Sequence, residues 1–340
     1  MRVAMYYNNS DIRLEELPVP AIGAGEVLMN VVSSGICGSD VMEWYRIKKA
    51  PLVPGHEVTG EIVAVGQGVE KFKVSDRIAT THHVPCNSCH YCLHGHHSLC
   101  DTLHSAKFYP GGFAEYLRLP AINVERGTFK LPAEVSYDAG TFVEPLGCAV
   151  RGQRLAEMQM GQSVLALGSG MSGLLHVMLA KANGAGRVIA TDINDYRLQF
   201  AKELGADVAL DARGDVSAQV KELTGGGVDL AIVCTAAPIA FEQAMASVGR
   251  GGTVLLFALH APDVTLNFDA RQFMLNGTKL MSTYAAPPLD MEIALELIRS
   301  GQIPVEKMIT HHLPLTETGK GFQMVVNAQD SMKIIIQPQV

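Results

Sequence analysis

The chain has 340 residues, 48% of them hydrophobic, enough to fill the cores of about two domains. Its formal net charge is −7, and no run of Lys or Arg offers a track for a phosphate backbone, so nucleic acid is not an expected partner. No stretch approaches the roughly 18 uninterrupted apolar residues of a membrane span. Residues 1–7 lack the apolar run of a signal peptide, so a cytoplasmic protein that binds no membrane is expected.

Residues 1–149 read as short β-segments punctuated by Gly and Pro, for example 26–32 and 60–66, which predicts an irregular, mostly-β domain. Two motifs interrupt it early: Gly35-Ile36-Cys37-Gly38-Ser39-Asp40 and Pro54-Gly55-His56-Glu57-Val58-Thr59-Gly60. Taken alone, a single Cys or His in an apolar run reads as core. Between them lie Trp44, a candidate for pocket or core, and a small basic group of Arg46, Lys48 and Lys49. That group reads as a solvated loop; lining a cleft, it would favour an acidic or phosphorylated substrate.

Next come Cys86, Cys89, Cys92 and Cys100, four of the seven cysteines. Two-residue gaps let neighbouring thiolates converge on one tetrahedral ion, and the longer loop returns the fourth. Zinc with four thiolates has no open position, so the site is expected to be structural. His90, His94, His96 and His97 share the loop and leave a mixed Cys/His set open.

From about Val150 the texture changes to apolar strands alternating with helices: strands at 163–167, 187–191, 228–233 and 253–257, helices at 171–183 and 195–204. This rhythm predicts an α/β domain built on a doubly wound parallel sheet. The first strand runs into Gly168-Ser169-Gly170-Met171-Ser172-Gly173, which opens a helix, and the next strand ends at Asp192. That is the context of a dinucleotide fingerprint. Helix-terminal amides at Met171 and Ser172 would face the pyrophosphate, and Asp192 would hold the ribose hydroxyls, favouring NAD over NADP. Asp192 also reads as a helix N-cap, and Arg197 nearby is a residue able to take a 2′-phosphate. A helix at 290–300 and strand-like segments at 308–315 and 332–337 close the chain.

The stretch from Gly55 to Val69, with Gly60 and Gly66 at the matching intervals, resembles the zinc-containing alcohol dehydrogenase signature. With the Cys37 motif and the four-cysteine loop, the whole chain resembles the medium-chain dehydrogenase/reductase superfamily. Phe142-Val143-Glu144-Pro145-Leu146 is similar to its polyol branch, which includes sorbitol, threonine and butanediol dehydrogenases. There a glutamate stands where liver-type enzymes have a third cysteine.

The resemblance implies a GroES-like catalytic domain (1–149), a Rossmann domain (150–283) and a C-terminal return to the first (284–340). It also implies NAD, two zinc ions per chain, a small alcohol or ketone substrate, and a homo-oligomer, tetramer or dimer. The catalytic zinc would sit on Cys37 and His56, with Glu57 and Glu144 either ligating it or holding its water and Glu144 favoured as the third ligand. Cys148, four residues past Glu144, is a rival ligand. The implied reaction is hydride transfer from the carbinol carbon of a zinc-bound alkoxide to the nicotinamide, the substrate being a secondary alcohol of a polyol, diol or hydroxy-amino acid.

Ser39 matches the hydroxyl that takes the alcohol proton. Many relatives pass it on to a histidine five residues past the cysteine; here that residue is Met42, leaving Glu43, or ribose and water, to carry it. Competing readings are a zinc-free quinone or enoyl reductase and a non-catalytic NAD-binding protein on the same scaffold.

Overall fold

In the computed structural model, which describes residues 1–340, the chain divides into two compact units. One is Met1–Gly147 with Ala285–Val340; the other is Cys148–Tyr284. No helix is long and apolar enough to cross a membrane.

The first unit carries a small antiparallel pair, Arg2–Asn8 with Asp11–Glu16, and a seven-stranded sheet. The order of the latter is Ile309–Pro314, Lys333–Gln337, Val27–Gly35, Glu57–Val65, Arg77–Thr80, Thr128–Lys130, with Tyr116–Leu119 also paired to Val27–Gly35. Alternation in Val27–Gly35 buries Val27, Met29 and Val31 against Val58, Ile62, Ile78 and Leu117. A second cluster joins Val3, Tyr6, Ile36, Phe113 and Phe322 to Ile334 and Ile336. Each such side chain, fully buried, contributes on the order of 1.5–3 kcal/mol.

Register then places the chemistry. Gly35 pairs with Glu57 and Ile335 pairs with Gly35. Cys37 therefore leaves one strand where His56 enters its neighbour, and Lys333 lies near them on the third.

The second unit is a six-stranded parallel sheet ordered Val208–Asp211, Arg187–Asp192, Ser163–Leu167, Val228–Val233, Val248–Leu256, Lys279–Ser282. Within this unit the order is 3-2-1-4-5-6, the doubly wound dinucleotide topology, and it reverses between Ser163–Leu167 and Val228–Val233. Helices Met171–Ala182, Asp195–Glu203, Val216–Thr224 and Pro238–Ser247 connect its strands. The α/β class with a mostly-β companion is thus the fold observed.

Four local features depart from the sequence reading. The four-residue strands Val208–Asp211 and Lys279–Ser282, and the helix Val216–Thr224, are additional. Residues 43–49 are not an open loop but a helical turn, Glu43–Arg46, running into Ile47–Lys49.

Candidate functional site

Ligand atoms of Cys37, His56 and Glu57 lie within 4.8 Å of one another. His56 Nδ1 is 3.4 Å from Asp40 Oδ1, and Asp40 is fully buried. Burial pulls the His56 pKa down, but the Asp40 carboxylate and the Cys37 sulfur outweigh it and hold it well above the usual value. Burial likewise opposes the charge on Asp40, while His56 and then Arg46 keep its pKa low. The corner is thus electron-rich and attracts a cation.

Glu57 is fully buried, and its Oε2 pairs with the equally buried ammonium of Lys333. Gly35 makes room for that pair, since a Cβ there would fall 2.6 Å from both Glu57 Oε2 and Lys333 Cε. Glu57 Oε1 is buried with no hydrogen-bond partner. A buried carboxylate oxygen left open beside a thiol and an imidazole fits a zinc ion.

Glu144, on the first turn of the helix Val143–Leu155, forms a second group with His82 and His83, their ligand atoms again within 4.8 Å. Burial raises the Glu144 pKa to about 7, His56 opposing and Glu57 reinforcing the rise. The His82 ring lies tilted against that of His56, at 4.7 Å, and that of His83, at 3.6 Å. Burial, and then the neighbouring imidazoles, push His82 well below its normal pKa and His83 to about 3, so both are neutral near pH 7. The resemblance favours Glu144 over Glu57 as the third ligand, and the structure places the two carboxylates differently. Glu57 accompanies Cys37 and His56, whereas Glu144 lies with the imidazole pair. Cys148 is one turn further along the helix that carries Glu144.

Ser39 Oγ lies 3.4 Å from Cys37 Sγ, and the Ser39 amide donates to the same sulfur. Met42 caps the turn that follows, and Glu43 Oε1 accepts from the Asn9 amide. Arg46 is 15% exposed rather than solvated, and bonds to Ser39 and Asp40. Asp40, His82, His83 and Lys333 were not identified from sequence. Asp40 stood in the quoted Cys37 motif, and a lysine inside Met332-Lys333-Ile334-Ile335-Ile336 was a visible anomaly.

The sulfurs of Cys86, Cys89, Cys92 and Cys100 also gather within 4.8 Å. Amides of Ser88 and Cys89 donate to Cys86 Sγ and lower its pKa to about 5, the stabilisation of a thiolate that a metal ligand requires. Burial pushes the Cys92 thiol up to about 12, a cost that a cation within the cluster would reverse. His94 and His104 bind the backbone carbonyls of His90 and Ser98, so the four sulfurs form the cluster without them.

In the second unit the fingerprint turns at Gly168, whose φ of +94° suits glycine. A Cβ on Gly173 would fall 1.8 Å from Gly168 O, whereas one on Gly170 would meet only the Arg197 guanidinium, no nearer than 3.7 Å. Protein packing therefore explains Gly173 but not Gly170, whose bare backbone leaves a space that a pyrophosphate fits. Gly170 is also the N-cap of Met171–Ala182, so no side chain competes for the first amides of Met171, Ser172 and Gly173. Asp192 accepts the amides of Ser169 (2.8 Å) and Asn194 (3.0 Å), which aims its carboxylate at the turn. Arg197 Nη1 stands 3.9 Å from Asp192, and its Nε is buried without a partner.

A mostly-β unit bearing clustered thiol, imidazole and carboxylate ligands, in one chain with a doubly wound unit that has this turn, defines a metal-dependent dehydrogenase. The family models agree: residues 23–133 match the alcohol dehydrogenase GroES-like domain and residues 173–300 the zinc-binding dehydrogenase. The chain belongs to the zinc-binding dehydrogenase family and is an oxidoreductase.

It is similar to a sorbitol dehydrogenase of Bacillus subtilis, with 31% identity over 99% of this chain and 97% of the relative. It is also similar to an L-threonine 3-dehydrogenase of Chromobacterium violaceum, with 32% identity over 96% of each. Among solved structures it resembles the 2R,3R-butanediol dehydrogenase of Bacillus subtilis, with a TM-score of 0.86 and 29% identity over 99% of both chains. The expected polyol branch of the superfamily is thereby borne out.

Proposed function

We propose that this protein is an NAD-linked dehydrogenase acting on a secondary alcohol that carries a neighbouring polar group, as in a polyol, a diol or a hydroxy-amino acid. The observation that carries this reading is the trio Cys37, His56 and Glu57, with Glu57 Oε1 left open beside the thiol and imidazole. These three would hold the catalytic zinc, which supplies the Lewis acidity that lowers the pKa of an alcohol. Asp40 orients His56, and Lys333 holds the far oxygen of Glu57, so the ligands are preset by their partners.

Ser39 Oγ, next to Cys37, is the hydroxyl suited to take the alcohol proton. Glu144 with neutral His82 and His83 forms a wall of acceptors and donors suited to water or to a second substrate hydroxyl or amine. Gly168, Gly170, Met171, Ser172 and Gly173 would hold the pyrophosphate, and Asp192 the ribose, with Arg197 beside it. The four cysteines would hold a second, structural zinc. The chain would work as a cytoplasmic homo-oligomer, tetramer or dimer.

The test is metal analysis combined with a panel of polyols, diols and hydroxy acids, followed by NADH absorbance, with NAD and NADP compared side by side. Two zinc ions per chain and NAD-dependent turnover of some member are expected. Glu57→Ala should release one zinc and abolish turnover; Glu144→Ala should lower turnover, and its effect on zinc content separates a ligand from a water-holding role. A chain with one zinc and no turnover would leave only a nucleotide-binding scaffold. Turnover without the second zinc would point to the zinc-free reductases.

A further inference from the structure

Arg46 follows Cys37 by nine residues and, with Lys48 and Lys49, reads from sequence as part of a solvated basic loop. In the fold its guanidinium turns inward. Nε donates to Ser39 O at 3.0 Å, and Nη2 donates to Ser39 Oγ at 3.3 Å and to Asp40 Oδ1 at 2.9 Å. Asp40 uses its other oxygen to accept the Cys37 amide at 3.1 Å, and its Oδ1 also faces His56 Nδ1. One planar fork therefore ties the hydroxyl beside Cys37 to the carboxylate that steers His56.

Two chemical constraints follow. A guanidinium is a donor only and does not give up its proton, so Arg46 cannot carry a proton away from Ser39. By filling a lone pair on Ser39 Oγ, it turns that hydroxyl's own hydrogen toward Cys37 Sγ, 3.4 Å away. Moreover, an imidazole that ligates a metal is neutral. Once His56 is neutral, Arg46 is the cation hydrogen-bonded to the buried Asp40 carboxylate, and the aim of Asp40 depends on it.

We infer that Arg46 is a positioning residue of the catalytic centre, setting Ser39 and, through Asp40, the ligand orientation of His56. This rests on the zinc reading proposed above. A lysine could supply the charge but not three bonds in one plane.

The experiment compares the wild type with Arg46→Met and Arg46→Lys in the zinc-loaded enzyme. It follows transfer of zinc to a chromophoric chelator, the visible spectrum after cobalt replaces the exchangeable zinc, and kcat and KM for NAD and substrate. Arg46→Met should speed loss of the exchangeable zinc by about 10–100-fold, shift the cobalt bands and lower kcat on a similar scale, with KM for NAD within about twofold. Arg46→Lys should recover part of the zinc retention but little of the kcat, since the fork is lost.

Unchanged zinc release and cobalt spectrum in both variants would overturn the inference. So would a rise confined to the KM for substrate, which would make Arg46 a substrate contact. If Arg46→Met does not fold, Arg46→Lys and Asp40→Asn carry the same readouts. A wild-type enzyme with no exchangeable zinc would refute the underlying reading instead, independently of any variant.

Discussion

Replacing Lys333 by Met tests the ion pair at the centre of the first unit. Lys333 and Glu57 both have 0% side-chain exposure, so neither charge has water to fall back on. Their pairing is a weak source of net stability, but removal of one partner strands the other. Methionine approximates the lysine stem in length, so the perturbation is mainly the lost ammonium, with its contact over the Phe142 ring, while the stem beside Gly35 largely survives.

An uncompensated buried carboxylate costs about 3–5 kcal/mol. For a unit of this size, each kcal/mol moves the melting temperature by about 2–4 °C. Lys333→Met should therefore melt about 6–20 °C below the wild type in calorimetry. The double variant Glu57→Gln/Lys333→Met removes both charges and should regain most of that loss, giving a coupling energy of at least about 2 kcal/mol. Added zinc should raise the melting temperature of Lys333→Met more than that of the double variant, because the ion supplies Glu57 with a new partner. A single variant within about 1 kcal/mol of wild type, or a double variant as unstable as the single, would refute the argument.

Cys92→Ser should lose one zinc per chain and melt about 10 °C or more lower while the nucleotide unit still binds NADH, checked by metal analysis and fluorescence. Asp192→Gly should cut the preference for NAD over NADP by about tenfold, one 1.4 kcal/mol step, read from the ratio of kcat/KM values. It should also raise KM for both, because the Ser169 and Asn194 amides lose their acceptor. His176 is buried against Phe257, accepts from Gln153 and has its pKa lowered to about 3 by burial. Unfolding frees it to protonate near 6.5, so the stability it contributes is complete above that pH and is lost progressively toward pH 3. At pH 5 the loss is about 2 kcal/mol, and His176→Met should flatten the fall of unfolding free energy between pH 7 and 5 in urea titrations.

What could be read from sequence was whatever the chain keeps local. The glycine turn and the Cys37 and His56 motifs each lie within a few residues and the four cysteines within fifteen, because a four-cysteine loop and a strand-to-helix turn are local devices. In the parallel sheet the strands missed were its shortest: Val208–Asp211 and Lys279–Ser282 are edge strands with four residues each, too few for a hydrophobic period to show. The helix Val216–Thr224 buries only Val216 and Val220 and is otherwise polar enough to read as a loop.

The site's supports were harder to see because they arrive by pairing. Lys333 reaches Glu57 across 276 residues of sequence, and only the register that sets Ile335 against Gly35 and Gly35 against Glu57 brings them together. Arg46 misled for a related reason. Next to Lys48 and Lys49 it looked like one of three solvated charges, yet a single helical turn points it at Asp40 while its two neighbours stay exposed. Ligands are conspicuous in sequence because their chemistry restricts the residue type. The groups that orient them need only a charge of the right sign at the right place, and that place exists only once the strands have paired.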